Sequence, residues 1–182
     1  MVFVITSALS KSIDSIMIDT IGIKTEIAFQ DSIITLNKQN ELFVISRKTY
    51  NYALELFKDK NLQQAIENFT DAIVVDSTFQ EAYFHRAKCY EDVDDSLAML
   101  DYLMAFSLDS SILAPLYGIA KLQAISDINE AFKTYNYIIS SSNQESRAHY
   151  EMGVLFYRQN DFEEAIISFT NSIELRKEAR TF

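Results

Sequence analysis

Apolar positions along this chain follow a helical period, and the same pattern then returns on a longer one. Four segments read NLQQAIENFTDAI (61–73), DDSLAMLDYLMAF (94–106), DINEAFKTYNYII (127–139) and DFEEAIISFTNSI (161–173). Each opens on Asn or Asp, reaches Ala65, Ala98, Ala131 or Ala165, and sets an aromatic four residues on, at Phe69, Tyr102, Tyr135 or Phe169. Residues i and i+4 share one helix face, so every copy carries a stripe with one small and one large contact. About twelve residues before each alanine stands Ala53, Ala87, Ala120 or Gly153. The segments around them, YNYALELF, YFHRAKCY, LYGIAKLQ and HYEMGVLF, are apolar at i, i+3, i+4 and i+7, which predicts a second helix per copy. A small residue facing an alanine lets two helices approach at the short end of the roughly 8–10 Å interaxial range. The alanines recur at intervals of 33, 33 and 34 residues. A unit of that size cannot bury its apolar face alone, so the period predicts stacked helical hairpins.

Helix ends are written in as well. Thr78-x-x-Glu81 and Ser142-x-x-Glu145 read as capping boxes, and Asn61, Asp127 and Asp161 as N-caps of second helices. The only proline, Pro115, falls at a predicted helix start, where a missing N–H costs little. The second and third copies lack one residue before the alanine, which predicts a shorter turn between their helices.

With these residues in place the chain resembles the tetratricopeptide repeat family. The fourth copy, within 146–179, carries Gly153, the turn aromatic Phe162 and Ala165 in family order, and the first copy is nearly as close. The resemblance covers about 46–182 and implies an all-α, right-handed superhelical solenoid of helix-turn-helix repeats, at about 46–79, 80–112, 113–145 and 146–179. Residues 1–40 are then an N-terminal extension of unknown role before a domain at 41–182. In that extension Ile21, Ile23, Thr25, Ile27 and Phe29 alternate with small or polar residues. With Gln30-Asp31-Ser32 as a turn into Ile33–Leu36, the alternation favours a β-hairpin. A helical reading competes, because Ile13, Ile16, Met17, Thr20 and Ile21 also share one face.

Composition narrows the function. Three glycines, one proline and 48% hydrophobic residues suit a mostly helical chain with a continuous core. The net charge of −10 argues against nucleic-acid binding, since a polyanion would be repelled. The lone Cys89 cannot form an internal disulfide, and no apolar run reaches the 18 or so residues of a membrane span; both fit a cytoplasmic protein away from membranes. Met1–Leu9 is apolar but lacks the basic residues and cleavage site of a signal peptide.

Catalytic chemistry is scarce. Glu81, His85 and Cys89 fall at i, i+4 and i+8 on one predicted helix, yet a metal needs three or four converging ligands and no fourth candidate stands at a known spacing. Glu91-Asp92-Val93-Asp94-Asp95 lacks the ligand spacing and glycine of a calcium loop and reads as a solvated turn. There is no phosphate-cradling glycine loop and no activated-nucleophile motif. The reading is of a non-enzyme with no metal and no cofactor.

In proteins resembling this one, the first helix of each repeat lines the inner face of the superhelix. Aligning the copies places Arg47, Tyr50, Leu54 and Phe57 there, then Glu81, Phe84, Lys88 and Glu91. Ala114, Tyr117, Lys121 and Ala124 follow, and finally Arg147, Tyr150, Val154 and Tyr157. Four cations against two carboxylates give this face +2, leaving −12 for everything else. Aromatic anchors beside Lys and Arg suit an apolar and acidic segment of a partner protein, while the same aromatics also serve as packing residues of the family. A clamp for a chaperone's C-terminal carboxylate is not matched, because Leu54 and His85 stand where the family's asparagines are expected. The expected function is therefore a protein-interaction scaffold. The alternatives are self-assembly through an uncapped fourth repeat, where only Lys177–Phe182 follow the last helix, and a regulatory module whose larger function lies in 1–40.

Overall fold

The computed structural model describes the backbone of residues 2–142 and 146–178, and the side chains of 24–142 and 146–177. It contains eight helices and, among the described residues, no strand. They are α1 (Val2–Lys58), α2 (Leu62–Val75), α3 (Gln80–Tyr90), α4 (Asp95–Leu108), α5 (Ala114–Ser126), α6 (Ile128–Ser141), α7 (Ser146–Gln159) and α8 (Phe162–Glu178). The chain divides into two units, residues 1–45 and 46–182, and α1 contributes to both.

The first unit corrects the hairpin expectation. Residues 21–36 are helical throughout, inside α1. A two-stranded hairpin leaves its outer backbone groups to water and is marginal alone, whereas a helix satisfies its own backbone at every step. Polar side chains join in at helical spacing. Gln30 Nε2 donates to Glu26 at 2.9 Å, Ser32 Oγ to the Ala28 carbonyl at 2.8 Å, and Thr35 Oγ1 to the Asp31 carbonyl at 2.8 Å. Gln30-Asp31-Ser32 also lacks the glycine that tight hairpin turns favour. The alternation from Ile21 to Phe29 therefore spreads apolar residues around a helix, and from Lys24 to Ile45 every residue is exposed.

The second unit is the repeat array, with residues 46–58 of α1 as its first helix. Ala53, Ala87 and Ala120 are fully buried, as are Ala65, Ala98 and Ala131, with Ala165 at 2% and Gly153 buried. The small positions that the spacing sets between the two helices are thus buried in all four copies. Each helix packs on its neighbour in sequence, and the clusters run on from Ala53 and Phe69 to Leu155. Two glycines seat aromatic rings. A Cβ on Gly118 would lie 2.3 Å from the Tyr102 ring, and one on Gly153 would lie 2.7 Å from Phe169. Ile138, where the family has a smaller residue, is fully buried too.

The turns between the two helices of a repeat differ from copy to copy. Repeats one and four end their first helix on Lys60 (φ 62°) and Asn160 (φ 67°), left-handed residues that let Asn61 N–H reach the Leu56 carbonyl and Asp161 N–H the Phe156 carbonyl, both at 2.9 Å. In the third repeat, one residue short, Asp127 alone closes α5 and opens α6, its side chain accepting from the N–H groups of Asn129 and Glu130. The second repeat does not show the shorter turn expected of it: residues 91–94 separate α3 from α4, and Asp94 only opens α4, accepting from the N–H groups of Ser96 and Leu97. Asn61 makes no side-chain cap. The Thr78 capping box is not formed either: the Thr78 hydroxyl and N–H both donate to Asp76 Oδ1, and α3 starts after Phe79. The Ser142–Glu145 box falls partly on 143–145, outside the described residues.

Candidate functional site

The residues singled out from the sequence fall on four successive first helices, 46–58 of α1, then α3, α5 and α7, except Glu91, which caps the end of α3. Contacts between neighbouring first helices string many of them into one row. Between α1 and α3, Arg47 pairs with Glu81 at 3.5 Å while its guanidinium stacks 3.4 Å over Phe79. Further along, the Lys88 ammonium lies 5.6 Å from the centre of the Phe57 ring and 5.7 Å from that of Phe84. Between α3 and α5, Lys121 pairs with Glu91, which also accepts from the Tyr102 hydroxyl. Between α5 and α7, Arg147 stacks 4.2 Å over Tyr117 and sits 3.8 Å from Glu151 on its own helix.

The aromatics sort by exposure. Tyr117 is buried at 8% and packs on Tyr135, with ring centres 6.2 Å apart. Tyr50 is half-buried against Phe69 and Phe79, at 5.6 and 4.6 Å. Burial first, and the nearby Glu81 charge second, push its phenol up to about 12, so it stays neutral. Leu54 packs into the cluster around Ala53 and Ala65. Phe57 and Phe84 are half-buried, each leaving part of its ring open beside Lys88. Tyr150 and Tyr157 are exposed, the first touching Phe169 and the second Phe162, both on α8.

Charge bookkeeping changes with these contacts. Arg47, Lys121 and Arg147 each have a carboxylate within 4 Å, and Glu151 joins Glu81 and Glu91 on the acidic side. Four cations against three carboxylates leave a single positive charge. It belongs to Lys88, which among the described residues forms no ion pair and is exposed. Beside Tyr117 and Arg147 opens a hollow of about 600 Å³ lined by Ser110, Ser111, Tyr137 and Ser142, all groups that can meet a polar ligand.

Glu81, His85 and Cys89 have other engagements than a metal. His85 Nδ1–H donates to the Glu81 carbonyl at 2.9 Å, and the Tyr50 hydroxyl lies 3.1 Å from the same nitrogen. Burial lowers the His85 pKa, keeping the ring neutral at physiological pH. Cys89 is fully buried, and burial raises its thiol to about 11, which removes thiolate reactivity.

Sequence reasoning passed over one pair. Arg86 of α3 clamps Asp101 of α4 in a two-pronged bond, Nε to Oδ2 at 2.7 Å and Nη2 to Oδ1 at 2.8 Å, and its Nη1 donates to Thr70 of α2 at 3.0 Å. The pair ties three helices of two repeats together, and the hydrogen bond to Asp101 holds the guanidinium firmly charged. The available signal was Asp101 itself, the one charge inside the apolar run from Ser96 to Leu108.

The order of small and aromatic residues, the helix-turn-helix unit and the row of first helices now meet one family. Residues 146–178 match the sequence profile of the tetratricopeptide repeat. This segment is a tetratricopeptide repeat. Solved structures share the fold. The crystal structure of MamA is 18% identical over 75% of this chain and 81% of its own, with a TM-score of 0.67. PilW, a type IV pilus biogenesis factor, is 16% identical over 72% of this chain and 62% of its own, at 0.64. The APC/C hetero-tetramer Cut9–Hcn1 matches at 18% identity and 0.64, over 76% of this chain but only 29% of that one. No curated protein matches the chain in sequence. No helix among the described residues is long and apolar enough to cross a membrane.

Proposed function

We propose that this tetratricopeptide-repeat chain is a non-catalytic protein-interaction scaffold whose first-helix face binds an extended or helical segment carrying apolar and acidic residues. The observation that carries the reading is Lys88, an exposed ammonium between the rings of Phe57 and Phe84, with no carboxylate of its own. A partner carboxylate meets that charge while an adjacent apolar side chain covers the two rings. Further along the array, Arg147 of the fourth repeat and the serine hydroxyls of the hollow beside it take a second polar group. The sites proposed are thus Arg47, Tyr50, Leu54, Phe57, Phe84, Lys88, Tyr117, Lys121, Arg147, Tyr150 and Tyr157, with Lys88 and Phe84 at the centre and Tyr50, Leu54 and Tyr117 shaping the face from beneath. Repeats of this kind commonly serve as extended binding surfaces, and the Cut9–Hcn1 structure is itself a hetero-tetramer.

Selection from a random peptide display library on the immobilised protein tests this. The reading expects enrichment of segments that combine Asp or Glu with Phe, Leu or Tyr, and their release by salt, since exposed charges are screened within about 10 Å at 0.1 M. Enrichment of basic segments, or of none on the wild type, would contradict it.

A further inference from the structure

In three places along the array, the face beside a second-helix aromatic is followed by the next first helix. His85 stacks on Phe69 with ring centres 6.0 Å apart, and Gly118 lies against Tyr102. Glu151 stands near enough to Tyr135 for its charge to add to the burial that holds the phenol at about 12. Those three rings are 0–3% exposed. The fourth, Phe169 on α8, is only half-buried.

Around Phe169 runs a clean stripe. Phe162, Ile166, Phe169 and Ile173 fall within about 60° of one another at 100° per residue, and Phe162, Ile166 and Ile173 are 52%, 65% and 55% exposed. Tyr150 and Tyr157 of α7 touch Phe169 and Phe162, and Ile166 and Ile173 stay open. A hollow of about 460 Å³ opens along it, lined by Tyr150, Phe169, Ser172, Ile173 and Arg176. Unlike the exposed residues of the first unit, which spread round their helix, these form a seam of the kind that takes another helix.

Charge decides which helix. The first turn of α8 is acidic at Glu163 and Glu164, and the last is basic at Arg176 and Lys177. Glu163 and Lys177 lie on the same flank of the stripe. An antiparallel second copy, related by a two-fold axis between Phe169 and Thr170, sets Ile166 across from Ile173 of that copy. The same register brings Glu163 within one residue of the second copy's Lys177, and the symmetry makes each contact twice. A parallel copy would instead set Glu163 level with Glu163 and Lys177 level with Lys177, with no opposite charge to meet across the seam. We propose that α8 is a self-complementary docking helix, and that two copies of this chain pair through it, antiparallel, with Phe169 next to the two-fold axis. The inference is independent of what the first-helix face binds.

Sedimentation equilibrium over a dilution series of the full chain tests it, with circular dichroism confirming that each variant is folded. The wild type is expected to be a dimer that dissociates with a Kd of roughly micromolar size, because a single-helix seam is a small interface. Ile166→Lys, and separately Ile173→Lys, should abolish the dimer without unfolding exposed positions. Glu163→Lys and Lys177→Glu should each weaken it about three- to tenfold, and the two together should restore it, since the swapped charges face each other again. A strict monomer at the highest concentration, an open-ended polymer, a dimer that survives Ile166→Lys, or a charge-swapped pair that fails to recover would each overturn the proposal. A seam covered by some other segment would read out as the strict monomer.

Discussion

The seam between the helices of each repeat and the face formed by the first helices are built from the same elements, and they obey different chemistry. In the seam the small residues recur with one change, Ala53, Ala87, Ala120 and Gly153 on the first helices and Ala65, Ala98, Ala131 and Ala165 on the second, and all of them are buried. On the first-helix face, the residues at matching positions change from copy to copy: Leu54, Lys88, Lys121 and Val154, or Phe57, Glu91, Ala124 and Tyr157. Packing density fixes the first set, because a single methylene is felt in a close-packed interior. The second set is free to vary with what it meets. Substitutions in the seam should therefore cost stability, and those on the face should cost binding.

The largest effect expected is at the tie that holds two repeats together. Asp101→Ala leaves Arg86, whose side chain is 16% exposed, without its counter-ion. The loss should be about 3 kcal/mol or more, read as a fall in the urea midpoint. A midpoint close to wild type would show that water replaces the carboxylate readily. Next come the close contacts between and within repeats. Gly118→Val drives side-chain atoms into the Tyr102 ring, and it should destabilise by about 1–3 kcal/mol unless the ring swings away. Ala98→Leu, at another fully buried contact, should fall in the same range.

Phe84→Ala sharpens the comparison from the other side. Its ring is half-buried beside Lys88, so a selected peptide should bind about 1–3 kcal/mol more weakly while the protein keeps most of its melting temperature. Tyr117→Ala should do the reverse, since Tyr117 is buried against Tyr135. Loss of binding by both only through unfolding would merge the two regions into one.

The smallest effect is a pH slope. Burial lowers the His85 pKa below its ordinary 6.5, and His149 moves the same way. The unfolded chain then takes up protons first as pH falls through 6.5, so the stability linked to the neutral rings is present above that value and is lost between 6.5 and the lowered pKa of the folded state. Unfolding midpoints at neutral and mildly acidic pH should show a shallower fall for His85→Gln than for wild type. An identical slope would mean that the ring is hydrated in the fold.

The repeats were legible because their cause is periodic: each alanine answers the same steric demand every 33 or 34 residues. The short third turn was legible for the same reason, as a missing residue before Ala131 that Asp127 makes up by capping both ways. Residues 21–36 were misread because alternation over a few residues does not tell a strand from a helix with apolar residues on two sides, and only backbone satisfaction decides. The Thr78 box failed because Asp76, two residues earlier, competes for the same hydroxyl and N–H. Arg86 with Asp101 escaped notice because a single pair leaves no periodic trace. On the first-helix face the positions were legible but their pairing was not. That Glu91 neutralises Lys121 while Lys88 keeps its charge depends on side-chain reach across neighbouring helices.

That last contrast gives the most direct test of the central claim. Isothermal titration of one selected acidic-aromatic peptide should be run against Lys88→Glu and Lys121→Glu, the same change one repeat apart. If the first-helix face binds through its one uncompensated cation, Lys88→Glu should abolish detectable binding and the salt dependence with it. Lys121→Glu should cost only a few-fold, because that charge is already met by Glu91. Equal losses at the two positions, or full affinity in Lys88→Glu, would contradict the account.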